Sequence, residues 1–319
     1  MSAERVVVAV DDRQLSLSNL GKVLYPDSGF TKGEVIDYYA RIADVMLPHL
    51  RDRPVTFRRW PDGTGGKSFI EKHVPSHAPD WIRTVKVPSS GGGGWGRAES
   101  SGEDVEYAVI DDRPALIWAA NLAAIEFHVP LWHAGKPTGK PGARRGPAPG
   151  QLPGRPDHMV FDLDPGPGAS IVECSRVARW IADRLSAGSR EPVAKTSGSK
   201  GMQVYVKLPA RTGWDAARDR ALRIAQAVEK DHRELVVTNM KKQLRRGRVL
   251  IDWNQNHPAK TTVAAYSLRG GPEPTASAPV SWAEVADCAD SGDPARLRFT
   301  AGQVLARVER GGDLFAPLA

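Results

Sequence analysis

One short segment, Met159–Gly168, restricts the fold of this chain more than any other. Its apolar residues are β-prone, and the Pro-Gly-Pro-Gly run at its end cannot continue a β-ladder. The segment therefore predicts a buried strand that stops abruptly after Asp162 and Asp164. Because alternate residues of a strand share a face, these two carboxylates are expected to project together.

Two carboxylates about 7 Å apart at a strand end can hold a divalent cation, and oxygen ligands favour Mg²⁺ or Mn²⁺ over zinc. Asp252 ends a second apolar strand, Val249–Trp253. If this strand lies beside the first, three carboxylates converge and two metal ions can support in-line phosphoryl transfer. The alternative for each acid is a solvated or capping position at a strand end.

The overall composition favours a polyanionic partner. The chain has 319 residues and a net charge of +7, with 41% hydrophobic residues. It contains no apolar run of membrane-spanning length and no signal pattern, so we expect a cytoplasmic, nucleoid-associated protein without a membrane partner. Its two cysteines, Cys174 and Cys288, are far apart, which excludes a disulfide framework or a cysteine zinc site.

The pattern of elements predicts an α/β (α+β) fold with a mixed sheet. We expect one domain with an N-terminal α/β lobe at 1–134, a Pro/Gly/basic connector at 135–156 and a catalytic lobe at 157–319 that ends in short helices. Thr31 and Glu34 have the spacing of a helix capping box.

Two further segments of the N-terminal lobe are assigned from their composition. The apolar residues of 114–127 favour a helix, from which His128 leads out. Residues 85–112 are predicted to form a loop, with a glycine-rich stretch at 89–97.

Two further segments have the composition of anion-binding sites. Ser197–Gly201 is a predicted strand–turn–strand with small residues and Lys200, although a polar hairpin would look the same. The basic segment Lys241–Arg248, which contains Arg245, precedes the Asp252 strand and is either a phosphate clamp or a solvated face. Taken alone, His128 is typical of a packed histidine and Phe69 of a core residue.

These segments together resemble a known family. Their order and spacing are similar to those of the archaeo-eukaryotic primase superfamily, and above all to the polymerase domain of bacterial, including actinobacterial, ligase D and its stand-alone relatives. The resemblance covers nearly the whole chain and is carried by several motifs: Leu24-Tyr25-Pro26, Arg59-Trp60-Pro61, Glu71-Lys72, His128-Val129-Pro130, Phe161-Asp162-Leu163-Asp164-Pro165, Thr196-Ser197-Gly198-Ser199-Lys200-Gly201, Asp252-Trp253-Asn254-Gln255-Asn256, Lys260-Thr261-Thr262 and Tyr266-Ser267-Leu268-Arg269.

The resemblance implies a primase-polymerase fold with an RRM-like catalytic core, and a role for each matching residue. The implied metal-binding and catalytic carboxylates are Asp162, Asp164 and Asp252. The residues implied to hold the phosphates and sugar of the incoming nucleotide are His128, Ser197, Lys200, Arg245, Gln255 and Arg269. Lys22 and Lys32 match lysines that bind the 5′-phosphate of a downstream strand, and Phe69 matches an aromatic residue that stacks on the template.

The implied activity is two-metal nucleotidyl transfer with Mn²⁺ or Mg²⁺, using NTP or dNTP with a preference for ribonucleotides, on gapped or broken DNA. Since the chain contains no Lys-x-Asp-Gly adenylation motif, sealing would need a DNA ligase in trans, and Ku is a further expected partner. Gln203 replaces a histidine that is usual in ligase-linked members, and Ile70 replaces a phenylalanine. These departures fit excision-repair gap filling as well as end joining. A two-metal nuclease and a non-catalytic DNA-end binder are the alternatives from other classes.

Overall fold

The computed structural model describes residues 5–88, 104–135, 152–186 and 191–319. Its strands are β1 (Arg5–Val10), β2 (Arg13–Ser18), β3 (Val23–Tyr25), β4 (Phe30–Thr31), β5 (Pro54–Arg59), β6 (Phe69–Glu71), β7 (Thr84–Val87), β8 (Val105–Val109), β9 (Ala124–Val129), β10 (His158–Pro165), β11 (Val193–Thr196), β12 (Met202–Lys207), β13 (Val236–Val237), β14 (Val249–Asp252), β15 (Thr262–Val263) and β16 (Pro279–Val280). Its α-helices are α1 (Lys32–Leu50), α2 (Arg113–Asn121), α3 (Ile171–Ser186), α4 (Trp214–Asp231), α5 (Trp282–Ser291) and α6 (Ala301–Gly311).

The predicted strand at Met159–Gly168 is β10, near the middle of a sheet ordered β13-β14-β10-β12-β11-β16. All its pairs are antiparallel except β13–β14, so the sheet is mixed as expected. One face is apolar and packs against helices α3, α4 and α5. Alternation along β10 places Phe161 and Leu163 on that face and turns Asp162 and Asp164 to the opposite one.

A second sheet, ordered β15-β9-β5-β8-β7, forms the centre of the N-terminal part, and β6 pairs with β5. Helix α1 packs against α2 and α6, and it begins with the predicted capping box: the Thr31 hydroxyl accepts from the Glu34 N–H at 3.2 Å. Strand β15 comes from the C-terminal half but pairs with β9. The division of the chain at residues 135–156 stays a prediction, and the α/β class is confirmed.

The structure corrects two assignments in the N-terminal part. The helix expected at 114–127 ends with α2 at Asn121, and strand β9 follows after Ala123, whose φ is +58°. A continuous apolar run is compatible with both a buried helix and a central strand. Here residues 124–129 form a strand because they pair with β5 and β15. The loop expected at 85–112 is also wrong, because β7 pairs with β8.

Two predictions concern residues whose structure is not described. The glycine-rich stretch at 89–97 lies outside the described residues, as does most of the predicted connector. None of the helices in the described ranges is long and apolar enough to cross a membrane.

Candidate active site

The three predicted carboxylates meet on one face of the central sheet. In the antiparallel register of β10 and β14, Asp162 lies directly opposite Asp252. Asp164 follows two residues after Asp162 and therefore shares its face. The apolar face of the sheet is filled by helices, so these acids project to the side of the N-terminal sheet. The condition on which the sequence analysis depended, adjacency of the two strands, is met.

The carboxylates influence one another electrostatically. Burial, followed by Asp164, raises the pKa of Asp162 to about 7, and Asp252 also contributes. Asp164 is exposed at the strand end, where partial desolvation and Asp252 raise its pKa. Desolvation also raises the pKa of Asp252. Close carboxylates that disfavour each other's ionisation form a negative site that a cation would relieve.

Two of these acids accept hydrogen bonds from neighbouring side-chain amides. Gln203 donates to Oδ1 of Asp162 at 3.0 Å, and Gln255 donates to Oδ2 of Asp252 at 3.2 Å. Across the described ranges, no group of three or more His, Cys, Asp or Glu side chains has the arrangement of a metal site. The case for a divalent ion at this site therefore depends on the chemistry of the ligand atoms. Three carboxylates supply the oxygen ligands that Mg²⁺ and Mn²⁺ prefer.

The turn at Ser197–Gly201 lies next to the end of β10. The Ser197 hydroxyl accepts from the N–H groups of Ser199 at 3.2 Å and Gly201 at 3.1 Å, which closes the turn and leaves Lys200 exposed. Gly201 packs so tightly on the Leu163 carbonyl oxygen that an added Cβ would overlap it. The strand with the acids and the turn with the lysine are therefore fixed to each other.

The basic segment docks on the Pro-Gly run that ends β10. Gly166 donates its N–H to the Arg248 carbonyl at 2.8 Å, and an added Cβ at Gly166 would overlap the Arg245 carbonyl. The Arg245 guanidinium donates to the Met240 carbonyl at 2.6 Å, and its Nε is buried without a partner in the described ranges. Its charge lowers the pKa of Asp164 in part, so it acts on the carboxylate site.

A buried acid that the sequence analysis missed joins two of the predicted nucleotide-binding residues. Glu126 on β9 is 1% exposed and accepts from His128 Nε2 at 2.8 Å, Arg269 Nε at 3.2 Å and the Gly270 N–H at 3.0 Å. Arg269 also donates to the Ser197 carbonyl at 2.8 Å. The i, i+2 spacing of Glu126 and His128 would have revealed a shared face if the segment had been recognised as a strand.

Gln255 follows Asp252 and has one end of its amide free. Its Nε2 donates to Asp252, while its Oε1 is buried and has no hydrogen-bond partner among the described residues. A buried acceptor without a partner is costly, and a bound ligand is one group that would satisfy it. This supports the assignment of Gln255 to the nucleotide, which stays a prediction.

Lys22 and Lys32 come together through the β3–β4 pair, where the Lys32 N–H donates to the Lys22 carbonyl at 2.8 Å. Lys22 is partly exposed and pairs with Asp62 at 3.1 Å. Lys32 is 5% exposed and donates to the Ser18 carbonyl at 2.6 Å. Burial, followed by repulsion from Lys22 and Arg59, lowers the pKa of Lys32 to about 8. Lys22, Lys32 and Arg59 therefore form a basic cluster. The sequence did not predict that Arg59 belongs to it.

Phe69 is a surface residue rather than a core one. It lies on β6, is 44% exposed and has the Arg59 guanidinium 5.0 Å from its ring centroid. Arg59 is in turn held by both oxygens of Glu71 at 2.8 Å. An exposed ring on a fixed support suits a stacking contact.

Known proteins resemble this chain in sequence and in structure. The family model described as "LigD, primase-polymerase domain" matches residues 31–315. The chain belongs to the LigD primase-polymerase domain family. It is therefore a nucleotidyltransferase of the DNA-polymerase type, as the sequence analysis expected, and members of this family depend on metal ions.

The relatives of this family member are long, multifunctional proteins. The non-homologous end joining DNA repair protein LigD of Mycobacterium tuberculosis is 39% identical over 311 residues, which are 97% of this chain and 38% of that protein. LigD of Mycolicibacterium smegmatis is 39% identical over 305 residues, 96% of this chain and 36% of the relative. The chain thus spans little more than a third of these curated relatives.

The family assignment extends to three dimensions. The polymerase domain of Mycobacterium tuberculosis ligase D, solved in complex with DNA, superimposes with a TM-score of 0.82 at 39% identity. The superposition covers 95% of this chain and 97% of that one. The primase-polymerase fold expected from the sequence is confirmed.

Proposed function

We propose that this chain extends a primer on DNA by metal-dependent nucleotidyl transfer at short gaps or broken ends. The observation that carries the proposal is the register of β10 and β14, which sets Asp252 opposite Asp162 with Asp164 on the same face. Asp162, Asp164 and Asp252 would hold two Mn²⁺ or Mg²⁺ ions. When bound, such ions lower the pKa of the primer 3′-hydroxyl and neutralise charge on the triphosphate.

The surrounding residues would bind and orient the nucleotide. Lys200, Arg245 and Arg269 supply positive charge on the sides of the site where the phosphates would lie, which stabilises charge that develops during transfer. His128 and Ser197 lie beside Arg269 through shared hydrogen bonds. The free oxygen of Gln255 can accept from a sugar hydroxyl, in keeping with the proposed preference for ribonucleotides.

The N-terminal lobe would bind the DNA. The cluster of Lys22, Lys32 and Arg59 has the charge to hold a downstream 5′-phosphate, and Phe69 is exposed for stacking on the template. Binding of DNA is supported by the similar structure, whose own complex contains DNA. A positive net charge of +7 suits binding to phosphates.

The relatives' names place them in non-homologous end joining. We propose a role in DNA repair for this chain, in end joining or in excision-repair gap filling. A ligase and Ku are its proposed partners, and the nucleoid is its proposed location. The activities of the full-length relatives beyond this domain are not implied by the part that matches.

Primer extension on short-gapped DNA tests the proposal. The substrate carries or lacks a downstream 5′-phosphate, and Mn²⁺ or Mg²⁺ is supplied with ribo- or deoxynucleotides. Asp164→Ala is expected to lose extension, while Lys22→Ala is expected to weaken it only when the phosphate is present. Lys86→Ala, an exposed lysine on β7, is the matched control and should behave as the parent.

Other outcomes favour the alternatives. Shortening of the labelled strand without pyrophosphate release would indicate a nuclease. Tight binding of the DNA ends with no turnover by the parent, under either metal and either nucleotide, would indicate a non-catalytic end binder. Either result would overturn the proposed reaction.

A further inference from the structure

A buried lysine lies behind the carboxylate site and has no role in the scheme above. Lys195 on β11 is 1% exposed, and its amino group has three partners: Oε1 of Gln203, the Val263 carbonyl at 2.9 Å and the Ser277 hydroxyl at 2.8 Å. Ser277 donates its own proton to the Thr196 carbonyl at 2.8 Å. In this arrangement all three partners accept: an amide oxygen, a carbonyl and a hydroxyl whose proton is donated elsewhere.

No carboxylate in the part of the chain that the structure describes is bonded to Lys195, which is unusual for a buried lysine. Burial lowers the pKa of its amino group well below the ordinary value, and the nearby charge of Asp162 raises it in part. Stability alone does not account for a lysine at this buried position, because an apolar residue of similar length would avoid the desolvation cost. The neighbours of Lys195 indicate that reason.

Lys195 is part of a row of polar residues that crosses four neighbouring strands. The strand registers pair Lys195 with Gln203, Gln203 with Asp162, and Asp162 with Asp252. Directly opposed residues on one face of an antiparallel sheet have Cβ atoms about 5 Å apart. The row therefore connects the buried lysine to the two facing carboxylates by direct side-chain neighbours.

The lysine determines which way the Gln203 amide points. Oε1 accepts from Lys195, and the Tyr205 hydroxyl lies 3.1 Å from the same oxygen. The opposite end, Nε2, consequently faces Asp162 and donates to its Oδ1 at 3.0 Å. With the amide reversed, Nε2 would face the Lys195 amino group, which donates to its other partners, and Oε1 would face the carboxyl oxygen of Asp162. Among the residues that the structure describes, Asp162 is thus hydrogen-bonded through Oδ1, and its Oδ2 is left for a ligand.

We infer that Lys195 is a positioning residue for the metal site and acts on Asp162 through the Gln203 amide. This inference rests on the proposed function, since it assumes that Asp162 is a metal ligand. Groups that hydrogen-bond a metal ligand fix its orientation and commonly change metal affinity by about 10- to 100-fold when removed. Lys195 would fix the orientation of Asp162 indirectly, with Gln203 between them.

The test is Mn²⁺ binding to the full chain, without DNA or nucleotide, followed by the electron paramagnetic resonance signal of free Mn²⁺. The variants are Lys195→Met, Gln203→Leu and the double variant, all close to the parent in volume. Each single change is expected to raise the Kd for Mn²⁺ by about tenfold. The double variant is expected to match Gln203→Leu, because the effect of Lys195 passes through that amide.

Two results would overturn the positioning role. The first is that Lys195→Met binds Mn²⁺ with the same Kd as the parent. The second is that the double variant raises the Kd by the product of the two single-variant increases, which would mean that the two residues act independently. If Lys195→Met does not fold, as judged by circular dichroism, Gln203→Leu decides: parent-like affinity there overturns the role, and a tenfold loss supports it.

The same experiment separates this inference from the proposed function. Asp164→Ala is included as a direct test of the carboxylate site. If the parent does not bind Mn²⁺, or if Asp164→Ala binds as the parent does, the proposed metal site itself is wrong. If the parent binds and Asp164→Ala does not, while Lys195→Met is unchanged, only the role of Lys195 is wrong.

Discussion

Replacement of Glu126 by glutamine should reveal how the nucleotide-binding side of the site is held together. The carboxylate is 1% exposed and accepts three hydrogen bonds, from His128, Arg269 and the Gly270 N–H. Despite burial, which by itself raises it, these partners lower the pKa of Glu126 from 4.5 to about 2. Glutamine has nearly the same shape as glutamate but no charge. Its amide NH₂ group would also face one of these three partners, each of which is itself a hydrogen-bond donor.

The magnitude follows from the pKa. A fall from 4.5 to about 2 corresponds to about 3 kcal/mol in favour of the ionised carboxylate in the folded state. For a chain of 319 residues, with an unfolding entropy of about 2.1 cal/mol/K per residue, this loss lowers Tm by about 4 °C. Loss of one charge-assisted hydrogen bond on Arg269, about 1.5 kcal/mol, should raise KM for the nucleotide about tenfold.

The pH dependence has a definite sign. Because the folded-state pKa of Glu126 lies below the unfolded one, its contribution to stability is present above pH 4.5 and is lost as pH falls toward about 2. The difference in unfolding free energy between the parent and Glu126→Gln should therefore be largest near neutral pH and shrink through this window. Urea unfolding at pH 7, 5 and 3 measures it.

The matched control is Glu309→Gln. Glu309 also pairs with an arginine, Arg41, at 3.0 Å, but its side chain is 66% exposed. An exposed pair contributes at most about 1 kcal/mol, so Tm and KM should stay close to the parent values. Glu126→Gln with an unchanged Tm, or with an unchanged KM, would refute the reasoning from buried charge.

Three more predictions test other parts of the structure. Gly201→Ala would place a Cβ on the Leu163 carbonyl and separate the lysine turn from β10, so extension should fall by about 100-fold, measured as single-turnover rate. Lys22→Ala should weaken binding to gapped DNA that carries the 5′-phosphate and reduce the slope of log K against log salt by about 1, measured by fluorescence anisotropy. Asp157→Asn leaves the 4%-exposed Arg53 without its carboxylate and should cost about 3 to 5 kcal/mol in urea unfolding at pH 7.

Each of these has a control variant or a result that would contradict it. Gly302→Ala, where an added Cβ meets no atom of the described residues within 4 Å, should leave extension unchanged, and equal losses at both glycines would contradict the steric argument. A salt slope for Lys22→Ala equal to the parent's would mean that Lys22 does not contact phosphate. Since the partners of Asp157 hold its pKa below the ordinary value, the cost of Asp157→Asn should fade below about pH 4, and a cost that persists there would point to packing instead.

Local patterns were sufficient for much of the fold. The capping box of Thr31 and Glu34, the end of β10 at its Pro-Gly run and the shared face of Asp162 and Asp164 all depend on residues within four positions of each other. The resemblance then identified the family, which the comparisons confirm. The same patterns failed at 114–127, because an apolar run is compatible with a helix or a central strand until its neighbours are known.

The candidate site depended on contacts between distant parts of the chain. Glu126 acquires its role from Arg269, 143 residues away, and Lys195 from its place beside Gln203 and Asp162. In isolation, a buried acid or lysine is only a polar residue in an apolar strand.

The sequence by itself therefore determined many of the strands and turns, including the end of β10, and which acids share a face, but it did not determine β8 and β9. These features follow from backbone sterics and from interactions along one element. Only the tertiary structure decided that Asp252 lies opposite Asp162 and that the polar row from Lys195 runs behind them. Strand register depends on how several distant segments pack at once, and no local pattern contains that information.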